Sequence, residues 1–267
     1  MKGWKMNENL KAFILRCSDK YYAENLQKYD REKILNNWWD SFDFFLEHAC
    51  YQGRRDEISY RVYLAAKKML SPLFANDNKG EKLEQYKQQK WGPIRSQLGE
   101  VIGKGKVGKG RDLEMILSAL EKVSSCIPER NFVAYSIDRI KRGEARKHYL
   151  DLQHQVPNAE LGIVQVGPKI AALYLRDVVS LFQVEAFVDN DALFCLQPID
   201  TWVRQLAVRL GIVSNENEGE ATIQNRIVEE CSHSGISSFR FNQGLWYLGF
   251  NSLKLLLEAA ENTSLRG

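Results

Sequence analysis

Two side chains stand where chemistry could be done: Lys169, in IVQVGPKIAALYL (163–175), and Asp200, in QPIDTWVRQLAVRLG (197–211). Around Gly167 and Pro168 the chain is apolar enough for a buried helix, yet Gly-Pro stops a helix and proline is welcome at the first position of a new one. The reading is two short helices joined by a tight hairpin at Gln165, Val166 and Gly167. Lys169 then falls on the first turn of the second helix, where a cation opposes the positive end of the helix dipole. A residue so placed serves something other than local stability. The hairpin itself can aim backbone N–H groups outward and hold a phosphate without sequence preference. Asp200 sits where an amphipathic helix begins, a favoured N-cap. Val203, Leu206, Ala207 and Leu210 line one face of that helix, and Gly211 ends it.

The elements that must position these residues are helical. KAFILRCSDKYYAENLQKY (11–29), DREKILNNWWDSFDFFLEHACYQ (30–52), DEISYRVYLAAKKMLSPLF (56–74), RDLEMILSALEKVSSC (111–126) and NFVAYSIDRI (131–140) repeat apolar residues every three or four positions. Strand-like alternation is scarce, VEAFVD (184–189) being its best case. The expectation is an all-α fold of roughly a dozen helices. EVIGKGKVGKGRD (100–112) reads as a mobile loop and VSNENEGEAT (213–222) as a polar connection. GKGKVGKG (103–110) satisfies G-x-x-x-x-G-K, but Gly110 stands where Ser or Thr must reach magnesium, so nucleotide binding is not supported. A solvated linker or a loop that touches DNA phosphates remains.

The 267 residues can bury a sizeable core. A net charge of +3 leaves nucleic-acid affinity to clustering among the 37 Lys and Arg rather than to their excess. No apolar run approaches the roughly 18 residues of a membrane span, and MKGWKMNENL lacks a signal-peptide core. The expectation is a protein of the cytoplasm, at the nucleoid, or of the nucleus in a eukaryote. Cys17, Cys50, Cys126, Cys195 and Cys231 are scattered, and neither they nor the four histidines pair at metal-ligand spacing.

Taken together, the hairpin, the lysine on its second helix and PIDTWVRQLAVRLG resemble the helix-hairpin-helix–Gly/Pro–Asp superfamily of DNA glycosylases. Val166, Gly167, Lys169, Ala171, Asp200, Val203, Arg204 and Leu210 carry the match, over about residues 160 to 212. Gln165 replaces the hairpin's usual first glycine, and Trp202 a residue that is commonly histidine. Lys169 and Asp200 are 31 positions apart (169 to 200), a long spacing similar to that of the archaeal-type 8-oxoguanine glycosylases, which lack an iron–sulfur cluster. A further match places Gln52, followed by Gly53, Arg54 and Arg55, where related enzymes carry a polar residue that fills the gap left by a flipped base. FRFNQGLWYLGF (239–250) offers Trp246 as a wall on which that base could stack.

The resemblance implies a DNA glycosylase that removes a damaged base, 8-oxoguanine first among candidates, and cleaves the strand by β-elimination. Asp200 would stabilise positive charge on the sugar, and the Lys169 amine would attack C1′ and form a Schiff base. Gln165, Val166, Gly167, Gln52, Arg55 and Arg204 would contact DNA. It implies two helical lobes flanking a DNA-binding cleft, one of residues 36–186 with the hairpin at about 158–180, the other of 1–35 with 187–267. The expected partner is double-stranded DNA bound by a monomer, with no cofactor, metal, iron–sulfur cluster or membrane. A non-catalytic helix-hairpin-helix DNA-binding protein and an all-α interaction protein are the alternatives.

Overall fold

The computed structural model describes residues 7–102, 109–252 and 254–256. These form thirteen α-helices and no strand; a lone bridge pairs Gln153 with Ile163. The chain divides into two compact units, one of Tyr29–Asp189, the other of Met1–Lys28 with Asn190–Gly267.

The larger unit holds α2 (Arg31–Asn36), α3 (Trp38–Ala49), α4 (Asp56–Phe74), α5 (Glu81–Gln88), α6 (Gly92–Val101), α7 (Gly110–Ser125), α8 (Phe132–Lys141), α9 (Ala145–Leu152) and α10 (Pro168–Phe182). Short polar side chains start several of them by accepting orphan amide hydrogens: Asp30 from Glu32 and Lys33, Asn37 from Trp39 and Asp40, Asn131 from Ala134. Helix α10 is buried almost all round and packs against α3, α8 and α9. Phe45 stacks on Phe132 at 4.1 Å, and Tyr174 of α10 meets both rings edge-on. A polar pair is carried inside: Arg176 Nε donates to Asp177 Oδ1 at 2.9 Å, and His48 Nε2 lies 3.1 Å from Asp177 Oδ2. Burial alone would raise the Asp177 carboxyl, but Arg176 and His48 hold it well below the usual carboxylate range. Such a helix is a stiff mount for whatever its first turn carries.

The smaller unit holds α1 (Glu8–Tyr21), α11 (Thr201–Arg209), α12 (Glu220–His233) and α13 (Ser238–Phe250), preceded by a 3₁₀ stretch, Asn190–Leu196. Its core joins Ile14, Val203, Ala207, Ile223, Ile227, Phe241 and Leu245. Two glycines set the spacing of α13. A Cβ on Gly244 would come within 2.1 Å of the Ile14 carbonyl oxygen, and one on Gly249 within 2.6 Å of Trp202 Cβ. The absent side chains let α1 and α11 approach closely.

VEAFVD, the best strand-like run, forms a 3₁₀ turn, Glu185–Phe187, in keeping with the all-α expectation. Two expectations change. Residues 110–112 belong to α7 and 100–101 to α6, so the glycine-lysine segment is shorter than 100–112; its centre, 103–108, lies outside the described residues. No helix precedes the hairpin at about 158: the chain between α9 and α10 is a string of turns. Pro157 and the left-handed Asn158 (φ +58°) and Gly162 (φ +51°) interrupt any helix there. The apolar Ile163 and Val166 are buried all the same, as anchors of the loop. The loop is stitched by backbone bonds from Leu161 and Gly162 to the Asp151 carbonyl and from His154 to the Val166 carbonyl. Arg139 grips it by pairing with Asp151 at 2.9 Å and Glu160 at 3.1 Å.

Candidate functional site

The turn that leads into α10 is built as the sequence suggests at one position and not at its neighbours. Gln165 is exposed and left-handed at φ +63°, a backbone region that favours glycine. Val166 has little to offer outward, since its side chain is buried and its amide donates to the Ile163 carbonyl at 3.0 Å. Gly167 is the N-cap of α10 with extended backbone (φ −107°, ψ −173°), and a Cβ there would meet nothing within 4 Å. Neither conformation nor crowding inside the unit demands a glycine at 167. No side chain caps α10, so the amides at its start have no side-chain acceptor.

Lys169 is half-buried, and its Nζ lies 3.5 Å from the carbonyl oxygen of Tyr51, just beyond the C-terminus of α3. The negative end of a helix is where a cation is electrostatically at home. The lysine misplaced with respect to α10 is therefore well placed with respect to α3, so the dipole argument from α10 alone does not show that the position serves something other than local stability. The same contact brings Lys169 beside the turn that carries Gln52. Gln52 is folded back, its Nε2 donating to the Ala49 carbonyl at 2.6 Å. To fill a gap in a duplex it would have to exchange that acceptor for another.

The two arginines that follow are unlike. Arg55 is exposed. Arg54 is held on three sides, by the Asp112 carboxylate at 2.8 Å, the Cys50 carbonyl at 3.1 Å and Ser59 Oγ at 3.3 Å. Asp112 in turn accepts from the Lys109 amide at 2.7 Å. Sequence reasoning passed over Arg54 and Asp112 because nothing local reveals that these two, 58 residues apart, are partners. Around α3 lies a polar cluster: Lys67 pairs with Asp43 at 2.7 Å, Tyr63 donates to Asp43 at 3.2 Å and Tyr29 to Glu47 at 2.5 Å. Burial raises the Asp43 carboxyl, with Lys67 and Tyr63 opposing; burial and Glu47 push the Tyr51 phenol up.

In the smaller unit Asp200 caps α11, its Oδ1 accepting from the Val203 amide at 2.8 Å. Oδ2 has no hydrogen-bond partner among the described residues, so one oxygen holds the helix and the other is unengaged. Arg204 is turned to the neighbouring connection, donating to the carbonyls of Glu216 at 2.8 Å and Glu218 at 2.6 Å. Trp246 is partly buried, stacked on Phe250 at 5.0 Å and edge-on to Tyr21 at 5.5 Å. Trp202 is 39% exposed and Phe250 48%, so aromatic surface does reach solvent on α11 and α13.

Among the described residues no group of His, Cys, Asp and Glu could hold a metal ion, and no helix is long and apolar enough to cross a membrane. Compared with family models, curated proteins and solved structures, the chain matches none.

Proposed function

We propose that the protein is a DNA glycosylase of base-excision repair with associated lyase activity, acting on duplex DNA that carries a damaged base, 8-oxoguanine first among them. The observation that carries this reading is the first turn of α10. The lysine amine at 169, the amides of Lys169 and Ile170 without a side-chain cap, and a glycine N-cap at 167 with open space around it lie within one turn at the start of a largely buried helix. Amides and helix dipole suit a phosphate, and an amine beside it suits a sugar carbon. The amine attacks C1′ as the base departs with the glycosidic electrons and takes up a proton. The nitrogen loses a proton to give a glycosylamine, whose C1′–O4′ bond then breaks, with a proton going to O4′, to leave the Schiff base that permits β-elimination. Asp200 Oδ2 supplies a carboxylate to stabilise the positive charge that builds on the sugar.

A second reading is favoured by specific contacts. Lys169 has the Tyr51 carbonyl and Asp200 the Val203 amide, so each has a structural task in a DNA-binding protein without chemistry. Incubation with duplexes bearing different lesions, with borohydride added, separates the two. A covalent complex and a released base support the glycosylase; salt-sensitive binding with neither supports the binding protein.

A further inference from the structure

We infer that Arg54 is a positioning residue for the Lys169 amine, an inference that rests on the glycosylase reading and assigns this arginine a task within it. Five carbonyl groups at and just beyond the end of α3 have identified partners. Leu46 O accepts from the Cys50 amide and His48 O from the Tyr51 amide. Ala49 O takes Gln52 Nε2, and Cys50 O takes both the Gln52 amide and Arg54 Nη2. Tyr51 O is left to Lys169. Where that oxygen points depends on the 50–55 turn, and Arg54 is what fixes the turn. Its guanidinium is 10% exposed and the Asp112 carboxylate that anchors it is fully buried. A third bond, to Ser59, ties the turn to the first helical turns of α4, and the Arg54 amide closes the turn on the Gln52 carbonyl at 2.6 Å.

The anchor lies at a telling place. Asp112 caps the start of α7 by accepting from the Lys109 amide. One carboxylate thus joins Lys109 to the turn that holds the amine. Arg54 is too enclosed to lie along a DNA backbone, whereas Arg55 is exposed. The two neighbours divide the work, Arg55 facing outward and Arg54 holding the site.

The test uses the full chain and two duplexes. One carries an abasic site, and the single-turnover rate of borohydride trapping on it is measured. The other carries a tetrahydrofuran analogue, and its dissociation constant is measured. Removing Arg54 alone strands a buried carboxylate and can unfold the protein. The decisive variant is therefore Arg54→Gln with Asp112→Asn, which neutralises both partners, alongside the conservative Arg54→Lys. The expected result is a trapping rate lowered at least about tenfold in the double variant, because an amine misplaced by an ångström loses its attack geometry. Affinity for the analogue should stay within about twofold on the same argument, and Arg54→Lys should recover part of the rate. Trapping at the native rate in a folded double variant overturns the inference while leaving the glycosylase reading intact. So does a loss confined to affinity. Absence of trapping by the native protein overturns both.

Discussion

Lys169 and Asp200 each answer to two explanations, and the residue scale is where these separate. Asp200→Asn keeps a side chain that caps nearly as well, so its stability cost is a few tenths of a kcal/mol, about the difference between two good caps. Release of the damaged base, measured as free base per unit time, should nevertheless slow by roughly two orders of magnitude or more, since the carboxylate charge is what the cationic sugar needs. A variant of native rate would reduce Asp200 to its bond with Val203. Gly167 provides the matching test on binding. Its backbone is extended and its surroundings are open, so Gly167→Asp is accommodated and, as an N-cap, should leave the melting temperature equal or slightly higher. The new carboxylate takes the amides that a phosphate would use and repels it. Affinity for damaged and undamaged duplexes, read by gel shift, should fall together. Unchanged affinity for both would remove the hairpin from the interface.

At the scale of elements, the helical character and many helix positions were legible, because apolar spacing and an N-cap such as Asp200 are local signals; the break at Asn37 between α2 and α3 was not, since the apolar spacing runs on through 30–52. The helix expected ahead of the hairpin was not, since Ile163 and Val166 are apolar for a different reason: they plug a loop into the core. The role of α3 toward Lys169 was equally hidden. A dipole argument applied within one helix cannot see a second helix that ends beside it, and Tyr51 precedes Lys169 by 118 positions. Nor does a sequence show which glycines are obligatory. Gly244 is one, for its missing Cβ makes room for the Ile14 carbonyl. Gly244→Ala should cost about 3 kcal/mol, the upper range for overpacking, seen as a lower denaturation midpoint with an unchanged denaturant slope. A midpoint equal to the native protein's would mean that α1 and α13 are free to shift apart.

For the whole molecule, stability is tied to pH through buried groups in the larger unit. His148 is fully enclosed, its Nε2 meeting Ser136 Oγ at 2.9 Å and its Nδ1 without a partner among the described residues. Burial, reinforced by the Arg139 charge, pushes its imidazole down to about 3. The unfolded chain takes up a proton near pH 6.5, whereas the fold excludes it, so stability is complete above that pH and declines as pH falls from about 6.5 toward 3. Asp177, held low by its partners, adds its own loss only below the ordinary carboxylate range. Melting temperatures between pH 8 and 5 should show the first decline, and His148→Gln should flatten it; parallel profiles for the two proteins would refute the assignment.

The claim on which the account turns is that Lys169 becomes covalently bound to DNA. The direct measurement is borohydride trapping on an 8-oxoguanine duplex, followed by denaturing electrophoresis, for the native protein and for Lys169→Gln. The expected result is a protein–DNA adduct with the native chain, mapped to the peptide containing Lys169, and none with the variant. No adduct from the native protein on any lesion duplex, or an undiminished adduct from Lys169→Gln, would contradict it.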